Sequence, residues 1–268
     1  MSIVSIETLL ELLCSPDLST VKKGSDLWLQ CNDENLTTSL LEGLVITPDG
    51  DAPFYFEEPA PLSKARWEVQ AAFDKLVQRG RLSEITTMNL SESPLTDLSS
   101  ISSLSSLRTL SLPITEPAVD KLSGYDALTS CPQLVELSLH RRSFESLQDE
   151  LVSQLEGLTL SYEGNSSDIP DLSAAVSLKS LVLDECDEVL SLEEISHLQK
   201  LESLTIFNGF SIGELHPISE LGSLKKLSLV ACSRCWDFDP VGELVSLEWL
   251  TISHNRSIED LAWIGALT

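Results

Sequence analysis

The sequence has few basic residues for its length. Its 268 residues include 17 Lys and Arg against 42 Asp and Glu, which gives a formal net charge of −25 at pH 7. Binding to a phosphate backbone needs clustered lysines and arginines, so this balance argues against a nucleic-acid-binding protein. An acidic surface favours fast encounter with basic partners, although a surface that is merely solvated would have the same composition.

Long apolar segments are also missing, because no run approaches the roughly 20 residues needed to cross a bilayer. The first 14 residues contain Glu7 and Glu11 and lack a basic start, so they do not resemble a secretory signal. The six cysteines are scattered and mostly fall inside apolar patterns, which is typical of reduced thiols packed as small hydrophobic groups. We therefore predict a cytoplasmic protein that does not contact a membrane.

Residue patterns that indicate catalysis or metal binding are lacking too. The four histidines are scattered, and none has a cysteine or carboxylate at a spacing that suggests an activated nucleophile. Cys232-Ser-Arg-Cys235 is half of a zinc or redox motif, but a zinc site would need a second pair. The acidic run at 184–194 has neither the spacing nor the glycine of an EF-hand loop. We expect no catalytic residues, no metal and no cofactor, and hence no enzyme.

What the sequence does contain is a 23-residue repeat. Four copies open at Leu178, Leu201, Leu224 and Leu247, and they read LKSLVLDEC, LESLTIFNG, LKKLSLVAC and LEWLTISHN. Counting the opening leucine as position 1, positions 1, 4 and 6 are apolar, as in a short strand with one buried face. Positions 12, 15, 18 and 21 are apolar at every third residue, which favours a 3₁₀-like return segment. Such short units bury their apolar sides only by stacking, so the sequence predicts a solenoid.

These copies resemble the leucine-rich repeat family. The tandem motif L-x-x-L-x-L-x-x-(N/C) carries the resemblance, with Cys186, Gly209, Cys232 and Asn255 at position 9. Cysteine at position 9 is similar to the cysteine-type variant, and return segments of the form L-x-x-I-x-x-L are similar to bacterial repeats. The resemblance implies an α/β horseshoe with parallel strands on its concave face and a role in protein recognition.

Two regions are expected in the chain. Residues 1–80 do not follow the repeat; amphipathic segments up to 45, a loop at 47–61 and a helix at Ser63–Gln78, ended by Gly80, predict a helical N-terminal cap, possibly HEAT-like. Residues 81–268 form the repeat domain, with four further openings at Ile85, Leu107, Leu134 and Leu155, so that eight strands are expected.

Irregular lengths mark two places in the repeat domain. One copy has 27 residues, and its insertion, Glu116–Ser130, predicts an α-helix. A ninth opening would fall near residue 270, so we expect the domain to lack its C-terminal cap. Either the chain is a fragment, or its end is covered by a partner or a second copy.

The predicted binding surface is the concave face, which strand positions 3, 5 and 7 should form. Position 5 is small and mostly hydroxylated, whereas the last three coils place large apolar groups on this face, for which recognition is the usual reason. The predicted protein-binding residues are Phe207, Val230, Trp249, Lys226, Asp184, Glu185, His140 and Tyr162.

The function predicted from the sequence is that of a non-enzymatic module that binds a protein, possibly a basic one, through this face. Two alternatives stay open. The first is an acidic inhibitor or immunity-type protein that occludes a basic toxin or nuclease. The second is the substrate-recognition arm of a larger enzyme.

Overall fold

The computed structural model describes two compact units, one formed by residues 1–113 and 120–134 and the other by residues 114–119 and 135–268. The described part contains no helix long and apolar enough to cross a membrane. The described residues are 8–9, 12, 20, 23–24, 26–27, 44–46, 54–56, 74, 77–78, 80, 82–91, 95–162, 167–255, 258 and 261–266.

The first unit begins with the region predicted to be a helical cap, most of which lies outside the described residues. Leu9 and Val77, two apolar positions of the predicted helices, are helical and buried. Gly80 has a φ of 67° and donates its N–H to the carbonyl of Val77, which is the helix end predicted for this glycine. Strands β1 (Leu44–Ile46) and β2 (Phe54–Phe56) pair antiparallel, where we had predicted the end of a helix and a loop.

The repeats of the first unit contain strands β3 (Thr87–Asn89) and β4 (Thr109–Ser111), which pair in parallel. Their return segments are 3₁₀ helices at Ser99–Ser103 and Tyr125–Ser130. The α-helix predicted over Glu116–Ser130 is only one turn long, at Glu116–Val119. Gly124, with a φ of 79°, interrupts it, and apolar residues at every third position suit the 3₁₀ geometry that follows.

The second unit is a stack of six parallel strands in chain order. They are β5 (Glu136–His140), β6 (Gly157–Ser161), β7 (Ser180–Asp184), β8 (Ser203–Phe207), β9 (Lys226–Val230) and β10 (Trp249–Ser253). Each strand from β3 to β10 begins two residues after a predicted opening. The predicted repeat register is therefore confirmed. Leucines at positions 4 and 6 stack between strands, as in the pairing of Leu181, Leu204 and Leu227, all fully buried.

Short helices return the chain between these strands. The helices are Arg141–Phe144, Asp149–Gln154, His216–Ser219 and Asp239–Gly242, and the 3₁₀ helices are Glu193–Ile195 and Ala262–Ala266. The predicted 3₁₀ geometry is therefore confirmed at Glu193–Ile195, whereas the next two coils form one turn of α-helix. Pro217 and Pro240 sit in the first turn of those helices, where the missing N–H of proline costs nothing.

A left-handed residue turns the chain inward after each of the last four strands. Glu185, Asn208, Ala231 and His254, all at position 8, have φ between 55° and 58°. A non-glycine residue costs roughly 1–2 kcal/mol in this conformation, so the packing of the next residue must hold it. Position 9 then enters the core and binds backbone: the Cys186 thiol donates to the Phe207 carbonyl (3.2 Å), and Asn255 Nδ2 donates to the Leu229 carbonyl (3.1 Å).

Candidate functional site

The exposed apolar side chains of β8–β10 define the candidate site. The strand face, formed by positions 3, 5 and 7 of β5–β10, is made mostly of serine, threonine and other small residues. Against that background Phe207 is 39% exposed and Trp249 is 65% exposed, with half-buried Val230 and exposed Lys226 beside them. We call these four residues the aromatic patch.

Strand register fixes how the patch is laid out. Phe207 pairs with Val230, which pairs with Ser253, while Trp249 pairs with Lys226 on the adjacent strand. Phe207 and Trp249 are thus two strands apart and four residues apart along the strands, a Cα separation of about 16 Å at 4.8 Å per strand and 3.3 Å per residue. The strand spacing alone would give roughly 10 Å, which is wrong because it ignores the offset along the strand.

A hydrogen bond orients the larger aromatic group. The indole Nε1–H of Trp249 donates to Oγ1 of Thr251 at 3.0 Å. The indole therefore lies along its own strand, over position 5, and points toward the Phe207 end of the face. The hydrogen bond therefore fixes the orientation of the Trp249 indole, although most of the ring is exposed.

Acidic residues border the patch on the β7 side. Asp184 ends β7 next to Phe207 and is half-buried, and Glu185 follows it on an exposed turn. Partial burial raises the pKa of the Asp184 carboxyl, and the neighbouring Glu185 carboxylate adds to that effect. A cationic group placed beside these carboxylates would favour their charged forms and so oppose the rise in the Asp184 pKa.

Two predicted site residues are in fact buried. His140 is 2% exposed, and its Nδ1 accepts the backbone N–H of Arg142, which caps helix Arg141–Phe144. Tyr162 is 1% exposed, and burial raises the pKa of its hydroxyl. Both predictions are corrected: in these coils the chain does not make the left-handed turn, so the strand end is not offered to solvent.

Arg141 forms a charged cluster that the sequence analysis missed. Its guanidinium is nearly buried and binds Glu145 through Nη1 (2.6 Å) and Asp168 through Nη2 (2.7 Å). Its Nε also donates to the Asp168 carbonyl at 3.3 Å. A buried guanidinium needs such partners, so this network holds the helix after β5 against the following coil. The sequence does mark this cluster, because His-Arg-Arg stands at positions 7–9 of this coil in place of the residues of the repeat motif.

A ladder of alternating charge, also missed, runs across position 2 of successive coils. Lys179 Nζ lies 2.9 Å from Glu156, and Lys225 Nζ lies 2.8 Å from Glu202. The Glu202 carboxyl has a lowered pKa, and the Lys225 amine a raised one, because each hydrogen-bonds and attracts the other. These side chains are about half exposed, so the ladder contributes little to stability and mainly supports the register.

The cysteines fill the core, as the repeat register predicts. Cys131, Cys186, Cys232 and Cys235 are buried thiols that form no disulfide, and desolvation raises their pKa values, to about 11 for Cys232 and about 12 for Cys235. Cys235 donates to the Ile212 carbonyl of the preceding coil at 3.1 Å. Within the described residues, no cluster of His, Cys, Asp or Glu could hold a metal ion.

Comparison with solved structures agrees with this architecture. The internalin inlF of Listeria monocytogenes str. 4b F2365 superposes with a TM-score of 0.52 at 20% identity, over 72% of this chain and 54% of that one. Internalin C2 (inlC2) of the same strain gives 0.55 at 18% identity, over 74% of this chain and 90% of that one. This chain therefore spans about half the length of the first internalin.

These likenesses establish the fold. The protein is a leucine-rich repeat solenoid of the α/β class with parallel strands, as the resemblance in its sequence implied. No protein-family model matches the sequence, and no curated protein sequence matches it.

Proposed function

We propose that the chain is a non-enzymatic protein-binding module that holds a protein partner on the aromatic patch of its second unit. The observation that carries this proposal is the exposure of Trp249 and Phe207 on a strand face otherwise made mostly of small residues. Large aromatic groups exposed in a contiguous area are uncommon unless another molecule covers them. Aromatic residues also dominate the energetic centres of protein interfaces.

The layout of the patch supports an extended or helical partner segment rather than a single small ligand. The Cα atoms of Phe207 and Trp249 are about 16 Å apart, a distance that an extended segment spans in about five residues. Val230 lies between them in register with Phe207, and Lys226 lies beside Trp249. A partner with an apolar side chain at each end of such a segment would contact both anchors at once.

The acidic border supports a partner with basic residues near its apolar anchors. Asp184 and Glu185 lie on one side of the patch, and the whole chain carries a formal charge of −25. Complementary charge chiefly raises the rate of encounter and suppresses wrong partners. The same charge favours, as a second candidate, an acidic inhibitor that occludes a basic protein; that protein would then lose its own activity when bound.

Cysteines outside disulfide bonds support a cytoplasmic location for this function. Four described cysteines are buried thiols that form no disulfide, and reduced thiols of this kind are typical of cytosolic proteins. Absence of enzyme activity is supported by the histidines, since His140 is committed to a helix cap and His197 lies near a backbone carbonyl in a different coil.

Two variants test the proposal directly. A photoreactive residue at position 207 or 249 would first cross-link and identify the partner. Phe207→Ala and Trp249→Ala should then each weaken binding of the purified partner by about 1–2 kcal/mol, roughly 5- to 30-fold in Kd, with little change in Tm. Ser180→Ala, at position 3 of β7 outside the patch, should stay within about twofold. Unchanged affinity in both aromatic variants would refute the proposed site.

A further inference from the structure

A notch lies between two exposed apolar side chains in the loops that follow the strands. Leu190, Gly213 and Trp236 all occupy position 13 of three successive coils. Leu190 is 60% exposed and Trp236 is 73% exposed. Gly213, between them, has no side chain, and a Cβ placed on it would meet no atom within 4 Å. The apolar side chains of Leu190 and Trp236 therefore stand on either side of an open space over Gly213.

Backbone contacts hold these loops in register, so the notch belongs to the fold. The Cys235 thiol donates to the Ile212 carbonyl (3.1 Å), 23 residues earlier, which places Trp236 alongside Gly213. On the other side, the strand pairing of Leu183 with Ile206 has the same 23-residue offset.

A cavity lies on the Leu190 side of the notch, and Trp236 is not among the residues that line it. It has a volume of about 330 Å³ and is lined by Leu190, Gly213 and Pro217 together with the carboxylate residues Glu193 and Glu214. This volume is at the lower end of the roughly 300–1,000 Å³ that ligand pockets span, so the cavity suits one side chain better than a larger ligand. We call this feature the loop groove.

The charges around the loop groove are almost all negative. The three segments at 184–194, 208–217 and 231–240 contain nine Asp and Glu, a single Lys or Arg (Arg234) and one histidine, His216. Glu193 and Glu214, which line the cavity, are exposed, and neither makes an ion pair within the described part of the chain. Apolar walls with unpaired carboxylates at the rim complement an apolar side chain that has cationic neighbours.

We propose that the loop groove is a second docking site, which takes a protein segment with one aliphatic side chain flanked by lysine or arginine. The aliphatic group enters the notch over Gly213, between Leu190 and Trp236. The flanking cations lie over Glu193 and Glu214. This inference is independent of the aromatic patch, because the groove is built from loop positions 13–17 and not from the strand face.

Synthetic peptides and one filled-groove variant test the proposal. The probe is an acetylated and amidated peptide, Gly-Lys-Arg-Leu-Arg-Lys-Gly, titrated into the full chain and followed by the NMR signal of the Trp236 indole N–H. Trp236→Phe assigns that signal. We expect the peptide to shift it saturably, and the peptides with serine in place of leucine or glutamate in place of the four cations to bind at least tenfold more weakly.

Gly213→Leu should fill the notch and weaken the leucine peptide at least tenfold. Its added side chain meets open space, so the fold should be kept. Gly222→Leu is the matched control, since Gly222 is also exposed with open space around it but lies outside the groove, and it should bind like the parent. The double variant Glu193→Gln with Glu214→Gln should bind at least threefold more weakly and with a smaller dependence on salt.

Three results would overturn the proposal. In the first, the basic leucine peptide leaves the Trp236 signal unshifted at millimolar concentration. In the second, Gly213→Leu binds as the parent does. In the third, the peptide shifts the Trp249 indole instead of the Trp236 indole, which would assign it to the aromatic patch and not to the loop groove.

Discussion

The coils at 135–177 and those at 178–255 belong to one unit and share one strand pattern, yet they end their strands differently. In the earlier coils, position 7 is buried, as His140 and Ser161 show. In the later coils position 7 becomes accessible, with Asp184 and Val230 half-buried and Phe207 exposed. The residue after the strand accounts for the difference, because it is left-handed only in the later coils among the residues described.

The earlier and the later coils stabilise the ends of their strands by different interactions. After β5 the chain enters a helix at once, and Arg141 is held by Glu145 and Asp168. After β7–β10 the left-handed residue lets a small position-9 side chain, such as Cys186, pack inward. The first arrangement covers the end of the strand face, and the second leaves it available. The left-handed turn therefore accounts for the accessibility of Phe207 and Val230, the position-7 residues of the aromatic patch, whereas Trp249 and Lys226 lie at position 3, near the start of their strands.

Leu204→Asp should cause the largest loss of stability, because it changes a residue in the core of the later coils. Leu204 is fully buried between Leu181 and Leu227. The change removes about 1.5–3 kcal/mol of apolar burial and places an unpaired carboxylate in the core at a cost of several kcal/mol. That total is comparable to the roughly 5–15 kcal/mol stability of a domain. Far-UV circular dichroism should show loss of structure.

Thr205→Asp is the control for that experiment, since Thr205 is next in the chain but lies half-buried on the strand face. It should melt close to the parent protein. If Leu204→Asp also melted within a degree or two of the parent, the inward and outward positions would have been assigned the wrong way round.

Gly209→Ala should cause the next largest loss of stability. A Cβ at Gly209 would lie 2.8 Å from Ile212 Cδ1, 2.9 Å from Ile206 Cγ2 and 3.1 Å from Cys232 Sγ. Overpacking of this kind costs about 1–3 kcal/mol. Gly222→Ala, where nothing lies within 4 Å, should lose no stability. Urea denaturation of both variants measures the difference, and equal midpoints would mean that position 9 need not be small.

Much of the fold could be predicted from the sequence because the repeat itself carries the information. An apolar residue at positions 1, 4 and 6 specifies both the strand and its buried face, so the openings at Leu178 to Leu247 fix the register of β7–β10. Position 9, which the motif reserves for asparagine or cysteine, is where the chain turns inward, and Asn255 there binds the carbonyl of a neighbouring coil.

The remaining features depend on geometry that the pattern does not encode. His140 was predicted to be exposed because alternation along a strand gives the direction of a side chain, but not whether the following segment covers it. Tyr162 is at position 8, which the same alternation places on the inward side, so its burial agrees with the pattern. The separation of Phe207 and Trp249 required the pairing register as well as the strand count. Arg141 departs from the repeat, and its ion pair with Asp168 joins residues 27 apart, beyond the 23-residue period.

Ala231→Gly tests whether the left-handed turn of the later coils is strained, and its expected effect on stability is smaller. Ala231 has a φ of 58°, where an alanine is strained and a glycine is not. Relief of that strain should offset the buried methyl group that is lost, so that stability changes by less than about 0.5 kcal/mol. Ala175→Gly, at a buried alanine outside the left-handed region, should instead lose about 1 kcal/mol. Equal losses would show that the turn stores no strain.

Asp184→Asn should give the smallest effect on stability, and its sign depends on pH. Burial and the neighbouring Glu185 raise the pKa of Asp184 in the folded protein, so the folded state binds that proton more tightly than the unfolded chain does. Ionised Asp184 therefore lowers the free energy of unfolding at neutral pH, and stability gained from its protonation is lost as pH rises through the raised pKa. The asparagine variant should be slightly more stable than the parent at pH 7, by no more than about 0.5 kcal/mol.

Thermal melts between pH 7 and pH 3 would check that sign. The advantage of Asp184→Asn should shrink as the pH falls through the raised pKa, because the parent then carries a neutral carboxyl at the same position. Asp187→Asn, three residues on at an exposed position, removes the same formal charge and controls for the net charge of the chain. If both variants had the same pH profile, the gain would come from lower overall repulsion. The end of β7 would then hold its carboxylate without penalty, and the acidic border of the aromatic patch would have no local reason to attract a cation.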